Sequence, residues 1–187
     1  MVGTDLVCVA VEGRFLQATR MDVLVAEAVR AEEEAAAAVF LRDGPLGDAI
    51  VLAASLSGRT TSILLGVRVG LRLDVHRHPT LLGREMTTLD LVCSGRSVLA
   101  FAAPFDDAVG EAIALCRAMW RDGVAASEGP HYPVAGAINR PRPTGDRSPL
   151  IALDLSDGSA APPGLVPLAD LLLLPAGQPD VCQMQRT

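Results

Sequence analysis

The chain predicts an α/β protein built on a parallel sheet, and three observations carry that prediction. From Thr61 to Val69 the residues are β-branched and aliphatic with Gly66 among them, the run expected of a strand covered on both faces. Pro79 stands where a proline suits the first turn of a helix, and Leu81, Leu82, Glu85, Met86 and Leu89 follow at helical spacing. Ser94-Gly95-Arg96 ends that helix, Gly95 being able to take the left-handed cap, and Ser97 to Phe101 resumes as strand. With the helix end that precedes Thr61, the stretch from Leu52 to Phe101 is one complete αβαβ run.

The other elements follow in order. Leu6 to Val11 reads as a first strand. Arg20 to Glu34 reads as a helix with charged residues on one side and Val23, Ala26 and Val29 on another, and Asp22 near its start complements the helix dipole. No glycine separates Glu34 from Ala35-Ala36-Ala37-Ala38, so the helix end is poorly marked. Val39-Phe40-Leu41 is a short second strand, and only Gly44-Pro45-Leu46-Gly47 parts it from a helix holding Ile50, Leu52 and Ala53. After Phe101 the chain runs almost directly to Pro104, and Asp106 and Asp107 open a helix carrying Val109, Ile113, Leu115 and Trp120. Residues 123–148 form a proline- and glycine-rich irregular connection, a length that is uncommon unless it is functional or a remnant. Leu150 to Leu153 is a further strand.

Composition bounds the function. The 187 residues suit one domain, 1–187, long enough to bury a core. Half are hydrophobic but only 3% aromatic, so the core is built from Ala, Val and Leu, which favours close packing of helices on a sheet. A net charge of −6 and a pI near 5.0 argue against nucleic acid as a partner, because phosphate binding needs a basic face. The four cysteines, Cys8, Cys93, Cys116 and Cys182, are dispersed and read as free thiols in a reducing compartment. Neither a secretory leader nor a membrane span is legible, and the expectation is a cytoplasmic protein.

Few residues suggest chemistry on their own. His76 and His78 flank Arg77, but a metal site would need a third ligand and only Asp74 and Glu85 are near, so no metal is expected. His78-Pro79 is better read as the start of a helix, and His131 is weaker still. Arg96, leading into a strand, is read first as pairing with Asp90 or Glu85 at the bottom of the sheet. No G-x-G-x-x-G fingerprint is present, which leaves a dinucleotide-binding fold with little support.

The words of the central stretch resemble the luciferase-like monooxygenases, the flavin- or deazaflavin-dependent oxidoreductases related to bacterial luciferase. They are Ala54 and Thr60, Leu65-Gly66, Arg77-His78-Pro79, and Thr88-Leu89-Asp90 followed by Ser94-Gly95-Arg96. The last turn of the fourth helix, Met119-Trp120-Arg121-Asp122-Gly123, and Glu128 to Pro133 are similar too, and Leu168-Ala169-Asp170 with the four leucines after it resembles the family's sixth strand. The resemblance implies a TIM-barrel-like (β/α) fold, here incomplete, with about six parallel strands and shortened strand-end loops, since a whole barrel takes about 250 residues. It implies FMN or the deazaflavin coenzyme F-420 as cofactor. Gly66 and Val67 would stand near the ring, and Ser156 would stand where many members contact a phosphate. Two functions follow: an oxidoreductase carrying out hydride transfer or monooxygenation, or a non-catalytic accessory, cofactor-binding or interaction protein. An interrupted barrel also exposes sheet edges, so a homodimer or a larger protein partner is expected to cover them.

Overall fold

The structure is a computed structural model and describes residues 9–11, 13–70, 77–143 and 148–175. Its elements in chain order are β1 (Val9–Val11), β2 (Gly13–Phe15), α1 (Met21–Glu33), β3 (Ala38–Leu41), α2 (Ala49–Ser57), β4 (Leu64–Gly70), α3 (Pro79–Val92), β5 (Ser97–Ala102), α4 (Asp107–Asp122), β6 (Val124–Ser127), β7 (Val134–Ile138), β8 (Leu150–Asp154) and β9 (Leu171–Leu173). The alternation predicted from the apolar runs is therefore present. The first strand is seen from Val9; residues 6–8 of the predicted span, and with them Cys8, lie outside the described residues.

All strands but β6 and β7 join one parallel sheet in the order β1-β9-β8-β5-β4-β3-β2. β1 and β2 are one residue apart in the chain, yet β1 pairs with β9 at one end of the sheet and β2 with β3 at the other. The sheet is thus curled until a single stretch, residues 9–15, serves both ends. Counting that stretch once gives six parallel strand positions, an incomplete TIM-barrel-like α/β fold with four helices on its outside. The link from β3 to α2 is residues 42–48 and that from β5 to α4 is residues 103–106, so the shortened strand-end loops are present.

Alternation along the strands divides the core into two layers. Val39, Leu41, Leu65, Val67, Leu99, Phe101, Ile151 and Leu153 face outward and pack under the helices. Ala38, Phe40, Val98, Ala100, Ala152, Leu171 and Leu173 face inward, with Phe15, Leu64 and Leu150 at their margin. The interior set is small because six strands enclose less space than eight. Three alanines and one phenylalanine suit that volume.

Two helix ends show how the chain does without the expected glycines. At the end of α1 the amide of Ala36 donates to Ala31 O and that of Ala35 to Glu32 O, with Ala35 at φ 58°. This is a Schellman ending with alanine in the left-handed position that glycine usually takes. At the end of α3 the left-handed residue is Ser94 (φ 56°), one position before the predicted Gly95, which is itself at φ 82°.

The connection 123–148 is more regular than predicted. β6 and β7 form an antiparallel hairpin lying on α4, pairing Val124 with Ile138 and Ser127 with Val134. Its strands are short, rich in Ala and broken by Gly136 at φ 93°, so no alternation marks them in the sequence. Asn139, 1% exposed, anchors the hairpin by donating to Thr87 Oγ1 on α3 and to Met119 O on α4.

Candidate functional site

A parallel sheet brings the carboxyl ends of all its strands to one side, and ligands of such folds bind there. Here that mouth is occupied by the chain's own side chains. β3 and β4 pair Phe40 with Gly66, and a Cβ on Gly66 would stand 2.1 Å from Phe40 Cδ1, so the ring lies directly over the glycine. Phe15 stacks on that ring at 5.7 Å between centroids. Arg68, two residues beyond Gly66 on β4, places its Cζ 5.8 Å from the Phe15 ring. Its Nε donates across β5 to Asp154 Oδ2 on β8 at 2.5 Å. The crossing is open because the β5 residues in register with Arg68 and Asp154 on this face are Ala100 and Ala102.

Asp154 is 1% exposed, and its other oxygen accepts from Ser156 N (3.0 Å) and Ser156 Oγ (2.6 Å). One column of contacts therefore runs from Gly66 through Phe40, Phe15, Arg68 and Asp154 to Ser156. Of the residues predicted to meet a cofactor, Gly66 and Ser156 lie in this column and Val67 does not. Gly66 is mid-strand, since β4 continues to Gly70, and its open face is covered by Phe40. Val67 is fully buried and faces the helix layer. Ser156 follows β8 as expected and gives its hydroxyl proton to Asp154. Phe15, Phe40, Arg68 and Asp154 were missed by the sequence reading. Asp154, an acid at the end of a buried strand, was the signal available for them.

Flavin and deazaflavin cofactors carry an aromatic ring and phosphate, and the described residues fit neither at this mouth. Phe40 and Phe15 take the ring's space. The amino termini of α2, α3 and α4, the usual phosphate seats, already hold the chain's own acceptors, whereas α1 starts at Arg20 without a side-chain cap. Asp43 Oδ1 accepts from Ala49 N and Asp48 Oδ1 from Ile50 N and Val51 N at α2, and Asp106 Oδ1 accepts from Ala108 N at α4. At α3 the acceptor is His78 Nδ1, which receives Thr80 N, so His78 serves as the start of that helix as predicted. Arg77 is also committed: it pairs with Asp48, lies 3.0 Å from Glu85 and 3.8 Å from Asp43. Burial holds the Glu85 carboxyl above its usual range, against the pull of Arg77.

Beside the mouth, between the ends of β2 and β3 and helices α1 and α2, lies a pocket of about 220 Å³. Leu24, Leu41 and Leu52 floor it, and Arg42 is on its rim. That volume is below the range of roughly 300–1,000 Å³ usual for pockets that enclose a whole cofactor.

At the opposite end of the sheet the polar residues are structural. Arg96, expected to pair with Asp90 or Glu85, binds the turn before β4, donating to Thr60 Oγ1, Ile63 O, Ser57 O, Thr60 O and to Cys93 O. Asp90 accepts from Ser97 Oγ at 2.7 Å. Glu32 accepts from the amides of Thr61, Ser62 and Ile63, and these bonds, Ser62 first, lower its pKa to about 2. The Cys116 thiol is pushed up to about 12 by burial, and burial raises Cys93 as well, so neither is a ready nucleophile. Among the described residues no three His, Cys, Asp or Glu side chains converge as a metal site; His76 and Asp74 lie outside them.

Neither a family model nor a curated protein sequence matches the chain. Solved structures do. A monooxygenase of Streptomyces bottropensis is 20% identical with a TM-score of 0.59, over 76% of this chain and 52% of that one. The coenzyme F-420-dependent tetrahydromethanopterin reductase of Methanopyrus kandleri is 15% identical with a TM-score of 0.64, over 77% and 50%. The oxygenating constituent of 3,6-diketocamphane monooxygenase of Pseudomonas putida, in complex with FMN, is 18% identical with a TM-score of 0.60, over 77% and 51%.

The chain shares the fold of these monooxygenases and this reductase. The chain spans about half the length of these structures. The cis peptide bonds among its described residues are Ala103–Pro104 and Arg140–Pro141, neither of them in β4. No described helix is long and apolar enough to cross a membrane.

Proposed function

We propose that this chain is a luciferase-like protein that has kept the oxidoreductase scaffold while filling its cofactor mouth, and that it acts as a non-catalytic accessory or interaction protein. The observation that carries this reading is the column at the strand ends. Phe40 covers Gly66, and the Arg68–Asp154 pair, held by Ser156, spans the remaining opening. A fold does not carry its function with it; the function resides in the strand-end groups and loops, and the described loops after β3 and β5 are short.

A second reading is a working oxidoreductase that binds FMN or the deazaflavin coenzyme F-420 and uses it for hydride transfer or oxygenation. It draws on the structural neighbours that depend on coenzyme F-420 or hold FMN, and on Arg68, whose 28% exposed side chain is a cation at the mouth. A homodimer or larger protein partner belongs to either reading. Apolar side chains left in solvent support it, Val51 at 66%, Ile138 at 59% and Val92 at 53% exposed.

The test is a titration of the purified full chain with FMN and, separately, coenzyme F-420, followed by ligand fluorescence. The first reading expects no saturation at micromolar ligand, and micromolar saturation by either cofactor would overturn it. Sedimentation at low micromolar concentration and copurification test the partner, and a compact, stable monomer would count against one.

A further inference from the structure

We propose that the pocket between the ends of β2 and β3 and helices α1 and α2 is a binding site for a small aliphatic monocarboxylate of about eight carbons. It lies in the outer layer and does not use the filled mouth, so it goes beyond the reading above. The floor is made by Leu24, Leu41 and Leu52, which are 1%, 2% and 8% exposed, and the walls by Leu16, Ala18 and Leu46. These side chains suit a hydrocarbon tail, and the polar part of the lining comes from Gln17, Thr19, Arg42, Asp43 and backbone. A dry apolar cavity of about 150 Å³ accepts benzene. The 220 Å³ here therefore takes roughly nine carbon-sized atoms on the same scale.

The rim supplies the sign of the headgroup. Arg42 lines the pocket, is exposed, and makes no hydrogen bond or ion pair with any described residue. Asp43, the other charge in the lining, is turned to its own partners: Oδ1 accepts from Ala49 N at 2.8 Å and Oδ2 lies 3.8 Å from Arg77. Gln17 and Thr19 complete the rim without charge. An apolar tail beside one uncommitted guanidinium matches a carboxylate, since a guanidinium presents a donor fork to its two oxygens. An alkylammonium of the same length would fill the walls but meet the wrong charge.

The experiment is an amide-resolved NMR titration of the full chain with octanoate, with octylammonium as the control, on the unaltered protein, Arg42→Gln and Ala18→Phe. The expected result is saturable shifts at residues 16–19, 42–44 and 46 with octanoate. Binding should be weakened about tenfold by Arg42→Gln, the worth of one charge-assisted bond, and lost in Ala18→Phe. Octylammonium should bind more weakly than octanoate. Shifts that do not saturate, that spread over the surface, or that are indifferent to Arg42 or to headgroup charge would overturn the proposal. Arg42 is exposed, so its replacement does not threaten folding. The cofactor titration bears only on the mouth, and either of its outcomes leaves this result intact.

Discussion

Adding one methyl group to Gly66 tests the packing on which the closed mouth depends. A Cβ there would lie 2.1 and 2.3 Å from Cδ1 and Cε1 of Phe40 and 2.9 Å from its Cγ. Carbon atoms rest about 3.5–4.0 Å apart, so the ring would have to withdraw by about 1.5 Å. Phe40 is fully buried, with Phe15 stacked on one side and the interior alanines and leucines on the others, so it has no free space to enter. Overpacking of this kind costs about 1–3 kcal/mol, and a rigid ring held against backbone belongs at the upper end. For a chain of this size about 3 kcal/mol corresponds to a fall in Tm of about 6–12 °C. Urea unfolding followed by fluorescence of Trp120, the single tryptophan and 4% exposed, measures the change. Phe40→Leu alone should also destabilise, by cavity formation, but combined with Gly66→Ala it gives the methyl its space. The double-mutant cycle should therefore show a favourable coupling of at least about 1 kcal/mol. Gly66→Ala within about 0.5 kcal/mol of the unaltered protein, or a cycle with no coupling, would refute the placement of Phe40 over Gly66.

Three further outcomes follow from the helix ends and the lower face of the sheet. Ala35→Gly should stabilise by about 1 kcal/mol, read as a higher urea midpoint at unchanged m, because it relieves a left-handed alanine at φ 58°. Glu32, held at about 2 against an ordinary 4.5, contributes stability that is present above about pH 4.5 and lost as the pH falls towards 2. Solvent screening reduces that contribution to about 1 kcal/mol, and Glu32→Gln should flatten this part of the stability–pH curve while leaving its shape above pH 5 unchanged. Arg96→Lys should cost about 2 kcal/mol, because an ammonium cannot serve the carbonyls of Ser57, Thr60 and Ile63 together. A loss below about 0.5 kcal/mol in denaturant titration would show that the fork geometry is dispensable.

The filled mouth and the retained scaffold have different physical origins. The outward layer must stay apolar in every residue to seat the helices, so Leu65, Val67, Leu99 and Phe101 are constrained whatever the protein does. The inward layer of a six-strand sheet has little room, and a few small residues with one ring satisfy it. Once Phe40 sits on Gly66, the uppermost inward positions must carry whatever meets solvent, and Arg68 with Asp154 meets it as a pair in which each satisfies the other. The predicted site residues are thereby drawn into packing and capping.

What the sequence by itself determined is the order of the elements and the faces of the helices. Apolar runs, Pro79 at a helix start and Asp48, His78 and Asp106 at caps act over a few residues, and their effect is readable from neighbours alone. The words around Leu65-Gly66, Arg77-His78-Pro79 and Thr88-Leu89-Asp90 likewise pointed to a luciferase-like half-barrel. Tertiary structure alone decided that residues 9–15 serve both ends of the sheet, that Phe40 fills the space above Gly66, and that Ser156 turns onto Asp154. The partners in these contacts lie 26 residues apart for Phe40 and Gly66 and 86 for Arg68 and Asp154, on strands whose adjacency and register exist only after the sheet has curled. The hairpin of β6 and β7 was illegible for the same reason: its short alanine-rich strands have no pattern of their own and are held by Asn139 reaching two helices.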